Sequence, residues 1–451
     1  MINRIIEYCA HHRFLVFILV TVAIVLGWWS MNRMPLDAIP DLSDTQVIVY
    51  TRWDRSPDII EDQVTYPIVT SMLGAPRVKA IRGFSDFGFS YVYIIYEDGT
   101  DIYWARSRTL EYLSKIIPRL PEGVHLELGP DATALGWVFQ YALVDTSGRH
   151  SLADLRSFED WYLRYYIQSV PGVAEVASIG GFVKQYQVNV NPNALLAYNI
   201  PLEKVVSAIR NGNNDIGGRL VEFTGREYMV RGKGYAKSVK DIEMIVIDID
   251  HKTGTPVLIK NIASVSLGPD IRRGFGELDG KGEAVGGIVV MRSGENALKV
   301  IARTKEKLEE IEPSLPEGVK IVTTYDRSDL IERSIDTLKH TLIEELIIVS
   351  LVILVFLLHL PSAIIPIFTL PIAVLISFIP IYGFKITANI MSLGGIAIAI
   401  GAMVDAAVVV VEQTHKKLEH WEEEGRPGDH RDVVISCLLY TSPSPRDRQK
   451  S

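Results

Sequence analysis

The chain has 451 residues, 48% of them apolar and 22% charged, and a net charge of −8. Its length fits about three domains. There is no basic block and no interleaving of basic with aromatic residues, which argues against nucleic acid as a partner. Two cysteines, Cys9 and Cys437, cannot build a disulfide framework.

Arg4, His11, His12 and Arg13 precede the apolar run Phe14 to Met31, which ends at Trp28, Trp29, Asn32 and Arg33. A cleaved signal peptide is one reading. The run is longer than a typical h-region, however, and lacks a small-x-small cleavage site. An uncleaved first helix fits better, basic end inside and tryptophans at the outer interface.

The mixed-charge stretch from about 34 to 340 reads as a soluble α+β region with an internal echo. Leu110 to Leu128 gives a helix, the turn LPEGV and an apolar alternation, and Val300 to Val322 repeats the order with LPEGV at Leu315 to Val319. A second echo pairs LGAPRVKAIRGF (Leu73 to Phe84) with VPGVAEVASIGGF (Val170 to Phe182), each leading into alternating strands. This predicts several βαβ-type subdomains. Between the echoes, GGRLVEFTGREYMVRGKGY reads as a hairpin, either an arm that reaches a neighbour or an ordinary surface loop.

Three further apolar runs follow: Leu342 to Leu358, Ala363 to Phe384 and Ile390 to Val411. Four crossings would return the chain to its starting side, with His415, Lys416 and Lys417 joining the N-terminal basic cluster in the cytoplasm. The soluble region then lies outside the inner membrane, in the periplasm of a Gram-negative cell. Inside the last run sits Asp405. That run is about 22 residues long, enough to cross the roughly 30 Å hydrocarbon core. A carboxylate at that depth costs about 3 kcal/mol or more and usually marks a proton or ion pathway. The alternative is a carboxylate satisfied by a neighbouring helix, with no transport role. Glu412, seven residues on, lies on nearly the same face, and reads as a proton exit or as a solvated helix-end charge.

The arrangement of one helix, a large exported loop and a helix cluster holding an intramembrane Asp resembles the resistance–nodulation–division exporters, in particular their heavy-metal branch. The resemblance rests on PDLSDTQVIVYT (Pro40 to Thr51), QVTYPI (Gln63 to Ile68), YEDGTDIYWARSR (Tyr96 to Arg108), LGPDATALGW (Leu128 to Trp137), TTYDRSDLI (Thr323 to Ile331) and NIMSLGGIAIAIGAMVDAAVVVVEQ (Asn389 to Gln413). It implies an α-helical membrane domain, here four of an expected twelve spans, and ferredoxin-like βαβ porter subdomains with an inserted docking subdomain. The implied boundaries are 1–33 for the N-terminus and first span, 34–135 for the first porter subdomain, and 136–181 with 273–335 for the second. The docking insert is 182–272, spans two to four 336–413, and a cytoplasmic segment 414–436.

The resemblance also implies a proton-driven secondary transporter rather than an enzyme, without cofactors, and that this chain alone should not pump. The alternatives are a divalent-cation or organic-compound exporter of the same class, or a membrane-anchored scaffold that moves no substrate. It implies a homotrimer that works with a periplasmic adaptor and an outer-membrane channel. Divalent-cation members carry a second Asp six residues before the central one, where this chain has Ala399. The single-Asp form looks like the copper(I)/silver(I) subgroup, whose soft ions suit thioethers. Met391 and Met403 match methionines of its proposed ion relay, with simple packing as the alternative. Val410 and Ile271 stand where further thioethers would be expected. After about Ser436 the resemblance stops. Residues 437–451, CLLYTSPSPRDRQKS, back-translate to what looks like a sequencing adapter, the alternative being a Ser/Pro-rich tail.

Overall fold

The computed structural model of the chain describes residues 2–249, 254–272, 274–357, 360–384, 386–425 and 428–441. Most of the tail from Cys437 therefore lies outside the described residues. After a short helix, Ile2–His11, helix α1 (Arg13–Arg33) carries the first apolar run. Among the described residues it is the one helix long and apolar enough, by length and composition, to cross a membrane.

The first sheet unit contains β1 (Gln46–Arg52), β2 (Val78–Asp86), β3 (Phe89–Tyr96) and β4 (His125–Leu128), with α2 (Ile102–Ile116) before β4. Strand β1 buries alternate residues, Val47, Val49 and Thr51, the period that lays one strand face on a core. The strands pair antiparallel in the order β2-β3-β1-β4, the split βαβ arrangement. Asp101 caps α2 by accepting the Trp104 N–H at 2.8 Å.

The second unit repeats the permutation. Its strands are β5 (Trp137–Asp145), β6 (Val173–Ile179), β13 (Val285–Met291) and β14 (Val319–Asp326), in the order β14-β5-β13-β6. Helix α3 (Ala297–Ile311) takes the place of α2, capped by Asn296. The two LPEGV turns share one backbone form, with Gly123 at φ 87° and Gly318 at φ 86°. Each unit encloses its own apolar core: Val49, Val64, Ile68 and Val92 in the first, Phe139, Leu163, Val289 and Ile301 in the second.

The two units differ at one turn. In the first, Phe87 and Gly88 join β2 to β3 directly. In the second, the equivalent turn opens into an insert holding β7 (Lys184–Val190), β8 (Ile216–Phe223), β9 (Arg226–Gly232), β10 (Val246–Ile249), β11 (Pro256–Leu258) and β12 (Ala263–Pro269). Strands β7 and β12 form a ladder from Val190–Ala263 down to Lys184–Pro269. Strands β8 and β9 make the hairpin read from sequence, turning at Thr224 (φ 53°) and Gly225 (φ 70°), and every residue of both strands is exposed. Two left-handed φ values in a two-residue loop match the twist of paired strands.

The chain leaves the second unit through Gly180, at φ 72°, where an added Cβ would stand 2.0 Å from the Ala284 carbonyl oxygen. Gly180→Ala is therefore expected to destabilise the chain by about 2 kcal/mol, from backbone strain plus overpacking. A thermal unfolding midpoint equal to that of the parent would contradict this.

Helix α4 (Arg327–Leu357) follows β14 with no loop between Asp326 and Arg327. The apolar run expected from Leu342 is thus the second half of a longer helix. No glycine or proline stands between Arg327 and Leu357 to end it. Helix α5 is Leu360–Gly383, and α6 runs from Ile390 through Val411 to Glu423, again with no glycine or proline after Gly401. Asn389 caps α6 by accepting the N–H groups of Met391 and Ser392.

Candidate functional site

Helices α5 and α6 enclose a groove of about 410 Å³ lined by Ile365, Thr369, Leu370, Met403, Ala407 and Val410. The lining is almost wholly apolar. Met403 is half-buried there, and Val410, seven residues on, shares its helix face. The backbone at Asp405 is helical and adjoins these lining positions, while its side chain lies outside the described residues.

Met391 is not part of this groove. It stands 70% exposed in the first turn of α6, about 18 Å along the helix from Met403 at 1.5 Å per residue. Ile271, also exposed, lines a separate cavity of about 410 Å³ between the two sheet units, with Arg52, Phe182 and Phe275. Glu412 is bonded to Lys416, one turn further on, at 2.6 Å. Among the described residues no three His, Cys, Asp or Glu side chains are grouped to hold a metal ion.

A second feature was not legible in the sequence. The Arg327 guanidinium, side chain 7% exposed, donates to the carbonyls of Leu135 at 2.7 Å and Trp137 at 2.8 Å and faces the Asp37 carboxylate at 3.4 Å. Asp37 follows α1, and its N–H donates to the Ala388 carbonyl just before α6. Around it, Ala388 donates to Pro35 and Ile390 to Ala38. One arginine thus gathers the exit of α1, the start of α4, the approach to α6 and the entry to β5. The partners lie 290 and about 190 residues away in sequence, and no local pattern announces them.

The sequence pattern of the AcrB/AcrD/AcrF family matches residues 5–435. The chain belongs to this family. Within the AcrB/AcrD/AcrF family it is 52% identical over 425 residues to the cation efflux system protein CusA of Escherichia coli (strain K12), covering 94% of this chain and 40% of that protein. It is 50% identical over 445 residues to the putative cation efflux system protein SilA of Salmonella typhimurium, covering 98% of this chain and 42% of that one. A crystal structure of a heavy metal efflux pump superposes with a TM-score of 0.82 at 29% identity, over 97% of this chain and 42% of that one. The chain spans about two fifths of the length of the curated relatives it matches.

Proposed function

We propose that the chain forms part of a proton-coupled exporter of soft monovalent cations, Cu(I) and Ag(I). Identity of about one half to two cation-efflux proteins, across nearly the whole chain, is the observation that carries this reading. Ala399, in place of a second intramembrane carboxylate, favours the soft ions over divalent ones, and thioethers at Met391 and Met403 suit them. Asp405 is the proton relay. Its charged form would draw a basic partner, and its protonated form would release it. Glu412 is a lesser candidate on the proton path, with Lys416 as its near partner.

In this reading α1, α4, α5 and α6 cross the inner membrane and the sheet units stand in the periplasm. The protein works as a homotrimer with an adaptor and an outer-membrane channel. The exposed β8–β9 hairpin, carrying Leu220, Phe223 and Met229 on its surface, suits an arm that seats on a neighbouring copy. Transport into everted membrane vesicles carrying the whole pump of which this chain is part decides the matter. Cu(I) or Ag(I) uptake that collapses with the proton gradient is the expected result; uptake of Zn(II) alone would reverse the choice of ion.

A further inference from the structure

Glu159 has no exposed surface, yet sits in the apolar core of the second sheet unit. The Tyr141 hydroxyl donates to its Oε1 at 2.8 Å, while Oε2, also buried, has no partner among the described residues. The strand beside it makes room by lacking a side chain. A Cβ on Gly287 would stand 2.4 Å from the Tyr141 hydroxyl and 2.8 Å from Glu159 Oε1. The residue opens the wide turn Glu159–Leu163 between two α-helical segments; the first unit carries a wide turn of the same length at Glu61–Thr65, so the turn belongs to the repeat and the carboxyl does not.

The internal repeat shows that this carboxyl is not required by the fold. The echo aligns Pro76 with Pro171, and the residues at equal distances before them match in burial. Ile60, Ile68 and Met72 of the first unit correspond to Leu155, Leu163 and Ile167 of the second, all buried and all apolar. Between them, the place held by Val64 in the first unit is held by Glu159 in the second, each 0% exposed. The second unit has put an ionisable group where its twin has a methyl-bearing one. A carboxyl there has to be neutral or has to disturb the core around it.

We propose that Glu159, held by Tyr141 over Gly287, is a proton-binding site built into the core of the second sheet unit, and that losing its proton loosens the wide turn from the sheet. Among the described residues, the charged groups around it are few. Strand β5 supplies Tyr141 and β13 supplies only Gly287. The helix itself carries Arg156 paired with Asp160 at 2.8 Å, and Arg164, which faces Glu175 of β6 at 3.8 Å. Burial, the largest influence, lifts the carboxyl to about 7; the Tyr141 hydrogen bond, Arg156 and Arg164 pull it down, and Asp160 pushes it up.

The sign follows. A carboxyl whose value is raised on folding holds its proton more tightly in the folded chain. Its contribution to stability is complete below the ordinary value of 4.5 and is lost as the pH climbs to about 7. The switch does not depend on transport, and it lies outside the helices assigned to the membrane.

Infrared titration of the full chain in detergent, from about pH 5 to about pH 8, tests it. The parent should show a protonated-carboxyl band that disappears with a midpoint near 7, and Glu159→Gln should lack that band. An identical band in both proteins would overturn the proposal, as would its absence from the parent. Tyr141→Phe removes a hydrogen bond that favours the charged form, so its midpoint should rise; an unmoved midpoint would overturn the pairing. Amide exchange over residues 152–168, corrected for intrinsic chemistry, should quicken above the midpoint in the parent and stay level in Glu159→Gln. Equal quickening in both would count against the loosening.

Discussion

Arg327→Ala should lower the stability of the chain by about 3 kcal/mol, among the largest losses available to a single substitution here. The side chain satisfies two carbonyls and stands against the carboxylate of Asp37, itself only 14% exposed. Its removal orphans three acceptors at once, one of them charged. The Ala38 N–H, which donates to Asp37 at 2.7 Å, offsets a fraction of this. Lysine keeps the charge, but one ammonium cannot span both carbonyls and the carboxylate as a planar guanidinium does, so Arg327→Lys should fall between the two. Thermal unfolding in detergent gives the ranking. If alanine and the parent melt together, the junction is not what joins the helices to β5. Amide exchange should also quicken at residues 34–38 and 135–137, and leave the first sheet unit unchanged.

Asp405→Asn should abolish metal resistance while leaving protein abundance unchanged, when the protein is expressed from its own gene. Asparagine keeps the size and polarity of the side chain and removes only its ability to exchange a proton, so folding should survive. On the proposed crossing of α6, a carboxylate there is expensive to keep, and its replacement by a neutral amide should if anything ease insertion. Growth in silver or copper at the level of cells without the pump is the expected outcome. Full resistance in the variant would mean that proton coupling does not run through this residue. The chain would then fit a membrane-anchored scaffold better than a pump.

Much of the sheet region could be read directly. The alternation in SYVYIIY became β3, with Ser90, Val92 and Ile94 buried beside a neighbour on each side. Repeated LPEGV marked equivalent helix-to-strand turns because a Pro-Glu-Gly step needs the same left-handed glycine each time. The alternating runs of GGRLVEFTGREYMVRGKGY predicted the hairpin, and the structure puts its turn at Thr224-Gly225.

What could not be read involves charge where the environment is set from afar. Between Arg327 and His340, Asp329, Glu332, Arg333, Asp336 and Lys339 made the start of α4 look like a soluble segment, yet helical hydrogen bonding ignores side-chain charge and continues through it. Glu159 shares the four-residue spacing of Leu155, Leu163 and Ile167, which places it on the buried face, but an acidic residue in that pattern reads as solvated. Only the position of Val64 in the twin unit exposes the anomaly. Met391 and Met403 look related in sequence because both are thioethers on one helix, and their separation along it becomes plain only when the helix is drawn out.

The insert bears on how the second unit can assemble. Pairing β6 with β13 requires residues 179 and 286 to meet, a contact across more than a hundred residues. Closing so long a flexible segment carries an entropic penalty that grows with the logarithm of its length and slows the search. The β7–β12 ladder changes that search. Once it zips from Val190–Ala263 down to Lys184–Pro269, both ends of the segment arrive side by side at the edge of the sheet. The remaining gap spans only residues 180–183 and 270–284, so nucleation within the insert converts a distant encounter into a local one. The order of events should therefore be insert first, second sheet afterwards, while the first unit, closed by the short Phe87-Gly88 turn, can fold without waiting for either.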